Sequence, residues 1–204
     1  ILFMLLLLPS HALCAQITID GDEQFRFAEQ TMQKGDYLRA VVEFERFLQF
    51  FPEDKNVPKA RLLIAQCYLK AKDYEAARKS LYETLPVYKG TLVGGKALFL
   101  MGESYYEQGL YEEAERYFKG VLAADSDPEL KNSAAYRLAW IQMHTGRWQE
   151  ASETFKAFIS SYSGEGGKAL AEVIQSLPAN PNDPSSYPAI ERALRETGGA
   201  VPAP

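Results

Sequence analysis

A chain of 204 residues is long enough for one globular domain of ordinary size with flanking segments. Its hydrophobic share of 47% is too high for disorder to be the default reading. The 22 basic and 27 acidic residues leave a net charge of -5 with no Lys/Arg-rich run; a phosphate backbone needs clustered positive charge, so nucleic acid is excluded as a partner.

The chain opens on an unbroken apolar run, residues 1–8 (ILFMLLLL), followed by Pro9-Ser10-His11-Ala12-Leu13-Cys14-Ala15. An apolar stretch of about 7–15 residues ending in small residues is the pattern of a secretory signal, and it is far shorter than the roughly 20 residues that span a bilayer. Residues 1–15 therefore read as a signal peptide cut after Ala15, with Ala12 and Cys14 as alternative cut sites and a basic leader upstream of Ile1. Cys14 carries a minor alternative, a lipidated N-terminus. Leu13 argues against it, because lipoprotein signals place a small residue directly before the cysteine. Once Cys14 is set aside, Cys67 is the single cysteine of the mature chain, so the fold must hold by packing without an internal disulfide.

Behind the signal the sequence repeats. Gly35-Asp36-Tyr37, Lys72-Asp73-Tyr74, Gly109-Leu110-Tyr111 and Gly146-Arg147-Trp148 place an aromatic residue at 37, 74, 111 and 148, a constant stride of 37. An alanine follows three places later each time, at Ala40, Ala77, Ala114 and Ala151. Apolar residues recur at helical spacing on both sides of each turn: Phe27-Ala28 and Met32 before the first, Phe44 and Phe47-Leu48 after it. The pattern predicts four helix-turn-helix units over about 21–57, 58–94, 95–131 and 132–164. Glycine gives the first helix of a unit its left-handed exit, and in the second unit Lys72 stands in that place.

Residues 90–97 (GTLVGGKA) imitate a phosphate-binding loop. Such a loop needs a strand before it and a hydroxyl after the lysine, whereas here a helix precedes it and Ala97 follows, so the expectation is a flexible loop ahead of a helix. A capping helix is expected over 165–177, with Leu170, Val173, Ile174 and Leu177 on one face. Pro178, Pro181, Pro184 and Pro188 then mark residues 178–204 as a proline-rich linker with a short C-terminal helix and tail.

Phe27, Ala28, Gly35, Tyr37, Ala40, Phe44 and Pro52 of the first unit, and Met101, Gly102, Tyr105, Gly109, Tyr111, Ala114 and Phe118 of the third, resemble the tetratricopeptide repeat. The early tryptophan of that pattern is absent, and units of 37 residues imply longer loops between repeats. The resemblance implies an all-α solenoid over about residues 22–162. Segments such as Phe47-Leu48-Gln49-Phe50-Phe51-Pro52 are similar to the tetratricopeptide domains of Gram-negative envelope proteins, namely the periplasmic partner of the Tol-Pal system and the repeat lipoprotein of the outer-membrane β-barrel assembly machine.

The family geometry implies that the first helix of each unit lines a concave groove. The positions it turns inward are Phe25, Glu29 and Met32; Leu62, Gln66 and Leu69; Phe99, Glu103, Tyr106 and Glu107; and Tyr136, Trp140, Met143 and His144. Aromatic and flexible apolar side chains of this kind anchor protein interfaces. An extended or helical partner segment along Phe99, Tyr106, Tyr136 and Trp140 is one reading; cover by the capping helix or the C-terminal segment is the other. Glu29, Glu103 and Glu107 give the groove an acidic flank suited to a partner with basic residues. Phe25 and Glu29 stand where relatives that grip chaperone C-termini carry Lys and Asn, so capture of a chain end is disfavoured.

No catalytic constellation, metal-ligand spacing or cofactor motif emerges from the sequence. His144 is the only histidine after the signal, and Cys67 reads as a packed thiol. The expectation is a non-catalytic protein-binding scaffold, exported to the periplasm or the periplasmic face of the outer membrane of a Gram-negative bacterium. The alternatives are the soluble repeat domain of a lipidated or membrane-anchored assembly protein and, last, a cell-wall hydrolase.

Overall fold

The computed structural model describes residues 20–124 and 127–161. The signal at 1–15, the cap at 165–177 and the linker and tail at 178–204 lie outside the described residues. Among the described residues eight helices follow one another: α1 (Gly21–Gln33), α2 (Tyr37–Phe50), α3 (Val57–Lys70), α4 (Tyr74–Val87), α5 (Leu92–Tyr106), α6 (Tyr111–Ala123), α7 (Pro128–His144) and α8 (Trp148–Ser161). Among the described residues there is no strand. The aromatic residue of each repeat is the first residue of the second helix of its hairpin.

The four turns share one hydrogen-bond pattern. Gly35 N–H donates to Met32 C=O at 2.9 Å and Asp36 N–H to Thr31 C=O at 3.3 Å. The same pair recurs from Lys72 to Leu69 and Asp73 to Tyr68, from Gly109 to Tyr106 and Leu110 to Tyr105, and from Gly146 to Met143 and Arg147 to Gln142. These are Schellman closures, which satisfy the last carbonyls of the first helix and require a left-handed residue just past its end. That residue has φ 82° at Gly35, 72° at Gly109, 76° at Gly146 and 61° at Lys72.

Each helix packs on the next in the chain, and the first helices of successive hairpins also touch, α3 on α5 and α5 on α7. Side chains at equivalent positions fill the seam within each hairpin. Ala40, Ala77, Ala114 and Ala151 are buried, and so are Phe44, Leu81, Phe118 and Phe155 one turn on. Between hairpins the small Ala60, Ala97 and Ala134 are fully buried and let helix backbones approach. Gly102 does the same inside the third hairpin, where an added Cβ would stand 2.7 Å from the Phe118 ring.

Residues 92–97 correct the expectation of a loop at 90–97, because α5 begins at Leu92. Thr91 caps it, its Oγ1 accepting from Gly94 N–H at 3.2 Å. Gly94 lies so close to the Tyr88 carbonyl that a Cβ would collide with it. The glycines that weaken helix propensity here are what allow the helix to start tight against the preceding loop.

Candidate functional site: a cleft across three hairpins

The first helices of the first three hairpins leave a cleft of about 440 Å³ between them. Met32 of α1, Leu69 of α3, and Phe99 and Leu100 of α5 give it an apolar lining. Gln66, Lys70, Lys72 and Tyr74 supply one polar wall, and Glu103 and Glu107 the other. The helical stagger explains the selection: Gln66, Leu69 and Lys70 recur at i, i+3 and i+4 on α3, as do Phe99 and Glu103 on α5 and Glu107 at its C-cap at i, i+4 and i+8.

The nine groove residues expected from sequence divide between cleft and interior. Met32, Leu69 and Phe99 line the cleft. Tyr106 is half-buried, with the Arg137 guanidinium 4.9 Å above its ring, and burial pushes its phenol pKa up. Phe25, Leu62, Tyr136, Trp140 and Met143 are in the packed interior. Phe25 meets Phe44 and Phe47 edge-on at 5.6 and 5.3 Å, and Tyr136 and Trp140 both meet Phe155, at 6.3 and 6.2 Å. In this structure those five side chains contribute to the core that shapes the groove. His144 is exposed and stacks on the Tyr111 ring at 5.3 Å. Lys70, Lys72, Tyr74 and Leu100 are cleft residues that sequence reasoning missed; the departure from glycine at position 72 was the signal available.

The acidic flank is largely neutralised within the chain. Glu29 Oε1 lies 2.6 Å from Lys59 Nζ. Glu103 is gripped by Arg137, with Nε 2.7 Å from Oε1 and Nη2 donating to Oε2 at 2.8 Å. Burial raises the Glu103 pKa, and the Arg137 charge and hydrogen bond oppose that rise. Cys67 is fully buried, and burial pushes its thiol up to about 11. Among the described residues no three His, Cys, Asp or Glu side chains come together as metal ligands, and no helix is long and apolar enough to cross a membrane.

Stacked helix hairpins joined by Schellman turns, with a cleft formed across their first helices, define an α-solenoid of the kind that binds other proteins along a repeated surface. Tetratricopeptide-repeat profiles match residues 56–127 and 99–166, and the chain belongs to the tetratricopeptide-repeat family. Among solved structures, it is similar to MamA from Desulfovibrio magneticus RS-1 (20% identity over 70% of this chain and 75% of that one, TM-score 0.58). It is also similar to PilF of Pseudomonas aeruginosa (17% identity, 88% and 77% covered, TM-score 0.61) and to a further MamA structure (18%, 86% and 91%, TM-score 0.59). At these identities the likeness shows the fold. None of the curated proteins matches the sequence.

Proposed function

We propose that this chain is a non-catalytic scaffold or adaptor of the bacterial cell envelope, holding segments of other proteins in the cleft between α1, α3 and α5. The observation that carries the reading is the cleft itself: an apolar lining of Met32, Leu69, Phe99 and Leu100 under polar rims, on the inner helices of a repeat family whose members mediate protein–protein interaction. A cleft of about 440 Å³ suits one or two side chains of a docked segment. The envelope assignment rests on residues 1–15, whose apolar run and small residues suit export. The alternative, a lipid-anchored repeat protein of outer-membrane assembly, rests on Cys14.

Photo-crosslinking tests the cleft without disturbing the core. A photoreactive residue at Gln66 or Glu107 is expected to give discrete adducts with envelope proteins, and one at the exposed Glu83 on α4 is not. Equal adducts at all three positions, or none at any, would remove the reading. Cell fractionation checks the address: recovery of the chain in the cytosol sinks the envelope assignment. A diacylglycerol mass on Cys14 in the mature protein decides for the anchored alternative.

A further inference from the structure

Lys72 is the one residue other than glycine with a left-handed backbone among the described residues. Glycine takes that conformation freely, while a residue with a Cβ is strained in it. The other three turns use Gly35, Gly109 and Gly146. The second hairpin therefore holds a strained lysine where its siblings hold the relaxed residue, and the lysine lines the cleft. Strain retained at one copy of a repeated position points to a role for the side chain that it delivers.

The surroundings say what that side chain faces. Lys70, at the last turn of α3, lines the same cleft, and neither lysine enters any of the salt bridges found among the described residues. Opposite them, Glu103 is held by Arg137, which leaves Glu107 as the unpaired carboxylate of the lining. Two ammonium groups without an ion pair thus stand against one unpaired carboxylate around an apolar floor, with Lys70 also adding to the positive field that favours the Glu103 carboxylate. The sequence suggested a groove for basic partners, but two of the three carboxylates behind that expectation have partners within the chain, Glu29 with Lys59 and Glu103 with Arg137.

Resting on the groove reading above, we propose that the cleft selects an extended acidic segment of a partner protein. One apolar side chain of that segment sits against Leu69 and Phe99, and neighbouring Asp or Glu carboxylates are met by Lys70 and Lys72. The two ammonium groups are two residues apart along the turn. That spacing suits carboxylates distributed along an extended chain more than a single terminal carboxylate.

Fluorescence anisotropy with two labelled peptides of about ten residues tests this. Both are blocked at each end and carry the same central leucine, one flanked by glutamates and the other by lysines. The glutamate peptide is expected to bind about tenfold more tightly at low salt, with the advantage shrinking as salt screens it. Lys72→Gly restores the residue of the sibling turns. It is expected to weaken the glutamate peptide about fivefold while leaving the melting temperature unchanged or raised by a few degrees. Lys70→Gln/Lys72→Gly should abolish the preference between peptides.

A preference that survives in the double variant, or a lower melting temperature for Lys72→Gly, overturns the assignment. So does binding that requires an unblocked C-terminus, which would mean capture of a chain end. Equal binding of both peptides overturns the acidic specificity and leaves the cleft as a docking site. Failure of both peptides together with absent cross-links at Gln66 overturns the cleft reading as well.

Discussion

At single positions, the repeat shows which side chains are set by close approach. Position 28 of the first hairpin is alanine, as are its equivalents Ala65 and Ala139, and all three are fully buried. In the third hairpin Gly102 takes the place because the Phe118 ring, also in contact with Phe99 at 5.4 Å, lies closer to the backbone. Gly102→Ala should therefore be unfavourable although alanine is the better helix former. Overpacking against a ring held on both sides outweighs a propensity gain of about 1 kcal/mol and leaves a net loss of roughly 1–2 kcal/mol in urea unfolding. The double variant Gly102→Ala/Phe118→Leu reproduces the pairing of Ala65 with Leu81 in the second hairpin and should recover part of that loss. Strict additivity of the two single changes would show that the ring is not the obstacle. The small residue was legible in the sequence as a repeat feature; the reason for glycine over alanine was not, because it lies in the placement of a ring sixteen residues away.

At the level of helices, the hairpins are tied by contacts that bridge roughly one repeat of sequence. Arg147 Nη1 and Nη2 donate to the two Glu115 oxygens at 3.0 and 2.5 Å, and Lys119 Nζ lies 2.6 Å from Oε1. The Arg147 hydrogen bonds, helped by Lys119, hold the Glu115 carboxyl down at about 2 against the opposing effect of burial. A carboxyl depressed in the fold stabilises it above its unfolded pKa, and that stabilisation is lost as pH falls through the folded value. Urea stability should thus drop between about pH 4.5 and 2 by an amount on the order of 2–3 kcal/mol from this group, and Glu115→Gln should flatten that part of the profile. Glu103 behaves in the opposite sense. Burial raises its pKa despite Arg137, so its share of stability declines as pH rises above the ordinary carboxylate range. That pair nevertheless cannot be broken cheaply: Arg137→Met alone should cost about 3–5 kcal/mol by stranding a buried carboxylate, and Arg137→Met/Glu103→Leu should return most of it. Equal stability of the single and double variants in urea would contradict this. These bridges explain where sequence reading stopped. The constant stride revealed helices and turns because their signals are local, a glycine, an aromatic residue and an apolar periodicity. Which groove carboxylates stay free depends on partners about thirty residues away, Lys59 for Glu29 and Arg137 for Glu103. The start of α5 was hidden for a related reason, since Gly94 and Gly95 read as loop residues until the Tyr88 carbonyl is seen against the helix.

Across the whole array, one helix departs from the pattern of its equivalents. Three positions on the outer side of each first helix repeat with the 37-residue stride. In α3, α5 and α7 they are Ala60, Ala97 and Ala134; Ile64, Met101 and Leu138; and Cys67, Ser104 and Ile141, all buried. In α1 the same positions are Glu23, Phe27 and Gln30, all exposed, with the Arg39 guanidinium 5.9 Å above the Phe27 ring. The internal helices present these sites to a preceding hairpin; α1 presents them to solvent and has polar groups at two of the three. That is how a repeat array is kept from growing by its ends, because each interface between neighbours is generic and would accept another copy. The same generic quality made the fold readable from the repeat alone, while the identity of a docked partner depends on cleft residues that differ from hairpin to hairpin. If polarity is what closes this end, then Glu23→Ala/Phe27→Ile/Gln30→Ile, which gives α1 the internal pattern, should leave the helical signal intact and make the protein associate. Its sedimentation coefficient is expected to rise with concentration while that of the wild type stays constant. A variant that remains monomeric over the same range would mean that the outer face of α1 is kept apart by something other than these three side chains, with the cover of Arg39 over position 27 the next group to remove.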